Sequence, residues 1–174
     1  TDSAIISISL PDKIEDSGNL KEIRWRVPIG GPVFSSPVSF TRWDGEQVAL
    51  YGTHSTAESV ICILAKHGFV VWKAANYQSP VYASPFLLPT SRTAVIVESN
   101  ATLHFINYDT GQLRSVKSRD QDNCSKMTRV ECFRLPMTND NSTSNGRIFS
   151  SPIIHRGRCF IGGRDSRLHC IDIN

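Results

Sequence analysis

Short β-branched and aromatic runs, each closed by turn residues, follow one another along the chain, and no stretch indicates a helix of any length. Residues 4–10 alternate apolar and serine positions, the pattern of a strand with one face buried. Residues 23–27, around Trp25, form a second run. From there the runs fall into groups of four. The first group is 33–40, 47–52, 59–64 and 69–73, bounded by Asp44-Gly45 and His67-Gly68. The second is 81–88, 94–98, 103–107 and 112–116, with Asp109-Thr110-Gly111 turning the chain between its last two strands and Gly111 free to take positive φ. Residues 148–155, 159–163 and 168–173 give three strands of a further group, whose fourth is missing.

The groups are repeats. Val33-Phe34-Ser35-Ser36-Pro37 returns as Val81-Tyr82-Ala83-Ser84-Pro85 and as Ile148-Phe149-Ser150-Ser151-Pro152: β-branched, aromatic, small, Ser, Pro. Pro37 and Pro85 are separated by one propeller-blade length of roughly 40–50 residues. Trp25 stands ahead of Val33 where Trp72 stands ahead of Val81, so the first residues are equivalent to the end of a group. Residues 1–30 are therefore expected to end one blade, 31–76 to form a complete blade, 77–146 a second blade enlarged by an insertion at 117–145, and 147–174 an incomplete blade. The fold class expected is all-β: a partial β-propeller of four-stranded antiparallel blades, about three to three and a half of them. The insertion is polar, with Thr138-Asn139-Asp140-Asn141-Ser142-Thr143-Ser144-Asn145 close to low complexity, and only 129–135 inside it resembles a strand. It reads as a mostly mobile connection at the outer edge of the second blade.

Composition narrows the function classes. With 40% hydrophobic and 20% charged residues the chain is of the folded, globular kind. The net charge is +3 and the basic residues are scattered singly along the sequence, without the stripe of a nucleic-acid binder. No apolar run approaches the ~20 residues of a membrane-crossing helix. Thr1-Asp2-Ser3 does not resemble a signal peptide, and the start without Met reads as a processed chain or one cut from a longer protein. The cysteines, Cys62, Cys124, Cys132, Cys159 and Cys170, are odd in number and lack C-x-x-C spacing, so neither a disulfide framework nor a zinc site is signalled. Cys62 and Cys170 lie in apolar runs, where a free thiol behaves as a small buried hydrophobe. That usage favours the cytoplasm. The sequons at Asn100, Asn123 and Asn141 are the opposing signal.

No catalytic, cofactor-binding or metal-binding residue is assigned from the pattern. A quinone site would call for adjacent cysteines, a stacking Trp and acidic calcium ligands; no Cys-Cys pair exists, and Trp25 and Trp72 occupy outer-strand positions suited to packing between blades. His104 and His169 fall at the same place in successive third strands, which points to a shared structural environment more than to a metal. Arg164-Asp165, after a Gly-Gly turn, forms a tip, and Arg92 and Arg167 fit a solvated rim. No Gly-x-Ser-x-Gly elbow is present.

The repeated Ser-Pro phrases and Asp109-Thr110-Gly111-Gln112 resemble the PQQ-like repeat family, whose units run small-Ser-Pro, apolar strand, Asp-x-x-Thr-Gly; in this copy Thr follows Asp directly, two residues shorter. More narrowly, residues 31–37, 81–86 and 109–113, and most closely 148–152 through 161–165 and 169–172, resemble the C-terminal propeller of the beta-alanine-activating enzymes of the acyl-CoA synthetase family. Residues 12–19 and the 117–145 insertion depart from it. The resemblance implies upstream domains that adenylate an amino acid with ATP and magnesium and pass it to a phosphopantetheine carrier. Neither a phosphate loop followed by Lys nor a carrier Ser lies in these residues. The expected role is thus a non-catalytic segment that binds or scaffolds, its partners being the remaining blades, the upstream domains or another protein, and neither nucleic acid nor a membrane. A quinone-dependent dehydrogenase and a luminal sensor propeller are the alternatives.

Overall fold

The computed structural model of the chain describes residues 3–8, 22–75, 77–119, 127–130, 132–135 and 147–173. Strands β1 (Ala4–Ile8) and β2 (Ile23–Pro28) pair antiparallel. A four-stranded meander follows, β3 (Val38–Thr41), β4 (Gln47–Gly52), β5 (Val60–Leu64) and β6 (Val70–Ala74), neighbours in sequence being neighbours in the sheet. The next sheet holds β7 (Phe86–Leu88), β8 (Thr93–Val97) and β9 (Thr102–Asn107). Strands β10 (Val116–Arg119) and β11 (Met127–Val130) pair with each other, and β12 (Cys132–Arg134) returns to pair with β9. The last sheet is β13 (Ile153–His155), β14 (Arg158–Gly162) and β15 (Leu168–Asp172). A single 3₁₀ turn, Pro89–Ser91, is the one helical piece among the described residues. The molecule is a partial β-propeller, as the repeats predict.

Why the middle strands lack polar positions follows from how the sheets stack. In β5, Val60 and Cys62 face the second sheet, where they meet Ala94, Ile96 and Ile106, while Ile61 and Ile63 face Ile5 and Val27 of the β1–β2 pair. In β8, Ala94 and Ile96 face back while Val95 and Val97 face forward into a core shared with Ile148, Cys159 and Ile161. Side chains alternate across a strand, so a strand covered on both faces must be apolar at every position. Removing one such side chain, as in Ile96→Ala, leaves a cavity at an interface between sheets and costs about 2–5 kcal/mol.

Each position of the repeated phrase has its own task. The first, Val81 or Ile148, is fully buried between sheets, and its N–H donates to the preceding sheet, at the Thr53 and Ser99 carbonyls. The third is small because it sits against the end of its own second strand: Ser35 Oγ bridges the Gly52 N–H and C=O, and Ser150 Oγ donates to the Gly162 carbonyl. The fourth forms a ladder from sheet to sheet, the Ser36 N–H donating to Ser84 Oγ at 2.8 Å and the Ser84 N–H to Ser151 Oγ at 3.0 Å. The phrase is consequently a linker between blades. It is not strand, which is why β3, β7 and β13 begin later than the apolar runs suggested.

The tryptophans tie the outer parts of the sheets together. Trp25 donates from Nε1 to the Ala65 carbonyl and lays its ring on Gly68; Trp72 donates to the Tyr108 carbonyl and lays its ring on Gly111. Both glycines have positive φ, +73° and +75°, and a Cβ on either would fall within 2.7 Å of the indole. Glycine is required there twice over, by the backbone and by the ring.

Three sequence expectations are corrected. The outer strand of the second sheet is not the continuous run 112–116. Leu113 pairs with Ile106, the chain then departs into the β10–β11 hairpin, and β12 completes the edge by pairing with residues 102–104. Within 117–145, where a strand was expected over 129–135 alone, the chain forms most of β10 as well as β11 and β12; residues 120–126, 131 and 136–146 are outside the described set. Cys170 is exposed, not buried: the register puts it opposite Phe160 on the outward face of the last sheet with Ile153, while Cys159 and Ile171 face the core.

Gly111→Ala is expected to destabilise the protein by at least ~1–2 kcal/mol from the left-handed backbone alone, with the ring overlap adding to it. Thermal unfolding followed by circular dichroism measures this, at about 2–4 °C of Tm per kcal/mol for a domain of this size. Gly45→Ala is the matched control: it shares the positive φ, +86°, but a Cβ there meets nothing within 4 Å. A loss at Gly111 no greater than at Gly45 would show that the Trp72 contact contributes nothing.

Candidate functional site

Two arrangements of polar and aromatic groups stand out, one within the second sheet and one along the linkers. In the first, Glu98 follows β8 and is 1% exposed, with its carboxylate fully engaged. Oε1 lies 2.5 Å from His104 Nε2 on β9, and Oε2 accepts from the Ser79 N–H at 2.6 Å and from Ser79 Oγ at 3.2 Å. Burial alone raises a carboxyl pKa; here the bonds from His104 and Ser79 outweigh it and hold Glu98 below the usual glutamate value. The Tyr77 ring packs 4.5 Å from the imidazole, and its hydroxyl is buried without a hydrogen-bond partner among the described residues. Ala74, Ala75, Tyr77, His104, Gly111 and Leu113 line a cavity of about 250 Å³ beside them, open where the outer strand is divided.

The third sheet repeats the device. His169 on β15 lies 3.0 Å from Asp165 Oδ2, a carboxylate 2% exposed. The matching histidines therefore do share one environment: each clamps the acidic residue of the turn that precedes its own strand. Asp165 is held ionised by His169 and the Arg167 N–H against the cost of its burial. Sequence reasoning missed the acidic partners, although an acid a few residues ahead of each histidine was the available signal. Among the described residues His104 hydrogen-bonds to Glu98 alone, and no group of three or more metal-ligating side chains is assembled. Cys62 and Cys159 are no better suited to chemistry, because burial pushes each thiol up to about 12.

Other sequence candidates fall out as structure. Arg92 is not a free rim charge; it grips the buried Asp109 through Nε and NH2 and lies over Tyr108. Trp25 and Trp72 pack between sheets, as expected, with ring faces taken by Gly68 and Gly111. Asn100 turns its amide inward, Oδ1 accepting from the Thr102 N–H and Nδ2 facing Glu98. Asn123, Asn141 and Cys124 lie outside the described residues.

The second arrangement comes from the aromatic position of the phrase. Phe34, Tyr82 and Phe149 meet across three successive sheets, with ring centroids 5.5 and 4.9 Å apart. His54 packs against Phe34 and Tyr82, and the Arg164 guanidinium lies 5.6 Å over Phe149. Phe34 is 63% exposed and Phe149 42%. Buried aromatics fill cores, but these rings are held against one another along the linkers at the surface, with Tyr82 half-buried between two exposed rings. The signal was in the sequence, as the one phrase position whose bulk no packing requirement explains.

The Glu98 cluster sets a pH dependence. Its folded pKa is lowered, so its stabilisation is complete above the ordinary value of 4.5 and is lost as pH falls through the depressed folded value. Glu98→Gln, which removes the charge that His104 and Ser79 hold, is expected to cost about 2 kcal/mol at pH 7 and to flatten the loss of Tm between pH 6 and pH 3. An unchanged acid profile in the variant would show that other carboxylates control it.

No protein-family model matches the chain, and no curated protein matches it in sequence. Among solved structures it is similar to BamB from Moraxella catarrhalis, a β-propeller, with a TM-score of 0.57 at 16% identity. The match covers 86% of this chain and 36% of BamB. Similarity at that identity shows the fold, that of a β-propeller, and the chain spans about a third of BamB's length.

Proposed function

We propose that this chain is a non-catalytic propeller segment that binds a protein partner through the Phe34–Tyr82–Phe149 row. The observation that carries the reading is the row itself: three rings at equivalent positions, continuous across blades, with Phe34 and Phe149 exposed and Tyr82 half-buried between them. Aromatic side chains of this kind form the anchors of protein interfaces. The apolar outward faces at the two ends of the stack, Ile6, Ile8 and Ile23 at one and Ile153 and Leu168 at the other, suit further blades of the same ring. The resemblance of the repeats to the beta-alanine-activating enzymes supports a parent that adenylates an amino acid and loads a phosphopantetheine carrier, with this segment contributing binding and no chemistry.

Replacing Tyr82 in the full-length protein by a photo-crosslinking phenylalanine analogue tests the reading. Adducts to a defined protein segment, in the parent's upstream domains or in a separate chain, are expected on irradiation in cells. Efficient crosslinking to solvent or to neighbouring rings alone would sink it. Mass spectrometry of the same polypeptide tests the parent: peptides of an adenylating domain support it, whereas a glycan on Asn100 points to the luminal alternative. Mixed with pyrroloquinoline quinone and calcium, the chain is expected to give no bound-quinone absorbance, since no two of its cysteines are adjacent.

A further inference from the structure

We infer that the segment received by the aromatic row is extended and acidic, a deepening that rests on the binding role proposed above. The inference comes from what adjoins the row at its Phe149 end. Arg147 is brought beside the turn that holds Arg164 and Arg167, the Arg164 N–H donating to the Arg147 carbonyl at 3.2 Å and the Gly163 N–H to the Arg167 carbonyl at 2.9 Å. All three are exposed. Among the described residues no carboxylate lies within ion-pair distance of any of their side chains. The one acid in the turn, Asp165, is buried and taken by His169. Arg164 joins the two features physically, with its guanidinium over the Phe149 ring.

The exposed positive charge of Arg147 and Arg164 beside an exposed apolar strip is complementary to a chain carrying hydrophobic side chains at one end and carboxylates at the other. The geometry of the row selects an extended chain. Its two steps, 5.5 and 4.9 Å, together match the length of about three residues at ~3.3 Å each. A single-stranded nucleic acid would share the charge preference but requires ring faces free for bases. Here the rings are tilted against one another, at 56° and 34°, and one face of Phe149 is already covered by Arg164.

The test is fluorescence anisotropy on the complete chain with three labelled probes: a short peptide with a leucine- and phenylalanine-rich half followed by a glutamate half, its twin with glutamine for glutamate, and oligothymidylate. The acidic peptide is expected to bind about tenfold or more tightly than its twin at low salt, equivalent to about 1.4 kcal/mol. That preference should shrink as salt rises and vanish in Arg147→Glu with Arg164→Glu. Tyr82→Ser with Phe149→Ser should weaken both peptides. Circular dichroism serves to show that the exposed-site variants keep the fold. Equal binding of the two peptides, lost only in the aromatic variant, would overturn the acidic preference while leaving the binding role standing. Tighter binding of oligothymidylate would overturn the peptide as occupant. No binding of any probe would overturn the proposal, and if the Tyr82 crosslink is also absent, the binding role with it.

Discussion

The two four-stranded sheets are covered on both faces, and that constraint organises the rest. A strand such as β5 or β8 exposes apolar side chains alternately to left and right, so neither is stable without a neighbour on each side. Hydrophobic burial is non-directional, however, and by itself would allow the sheets to slide. The directional work is done by a few polar contacts at each end of the stack: serine to serine between the inner linkers, indole to carbonyl between the outer strands. Inner and outer ties together fix the angle between successive sheets, which is the quantity that makes a stack curve into a ring.

The five-residue phrase made this architecture readable because its first, third and fourth positions answer to packing or hydrogen bonding. Repetition compensates for the weakness of any single strand signal. Three copies of Ser-Pro after an aromatic are hard to mistake, whereas the nine residues of β7, β12 and β13 taken alone would be. Where the chain does not repeat, the reading was less accurate. The outer edge of the second sheet depends on Ile106 choosing Leu113 and Leu103 choosing Phe133, a pairing across a long insertion that no local pattern encodes. Cys170 was misplaced for a related reason: an apolar run does not say which of its faces has a neighbour.

The polar chemistry was partly visible. Equivalent histidines signalled equivalent surroundings, but their carboxylate partners sit at different spacings, four residues away in one sheet and six in the other. The turns differ in length while the clamp is kept, so the shared feature is the buried acid and not the spacing. The aromatic row and the arginine turn show the same limit from the other side. Phe34, Tyr82 and Phe149 were in view as members of a phrase, yet their meeting is a property of the stack, and the three arginines read as scattered until the chain was folded.

The divided edge of the second sheet has a consequence for how such a protein can change. The strand opposite β9 is made of two separately paired pieces, and β10 and β11, which lie between them in the chain, pair with each other and not with β9. Lengthening the join between the two pieces alters loop-closure entropy, which grows slowly, by about 0.6 kcal/mol for each doubling of length. The inner linkers, the indole ties and the cores between sheets are untouched by it. This edge is thus a grafting port, a place where new sequence can be spliced into a closed geometry and tried for a new task while the ring around it keeps its shape.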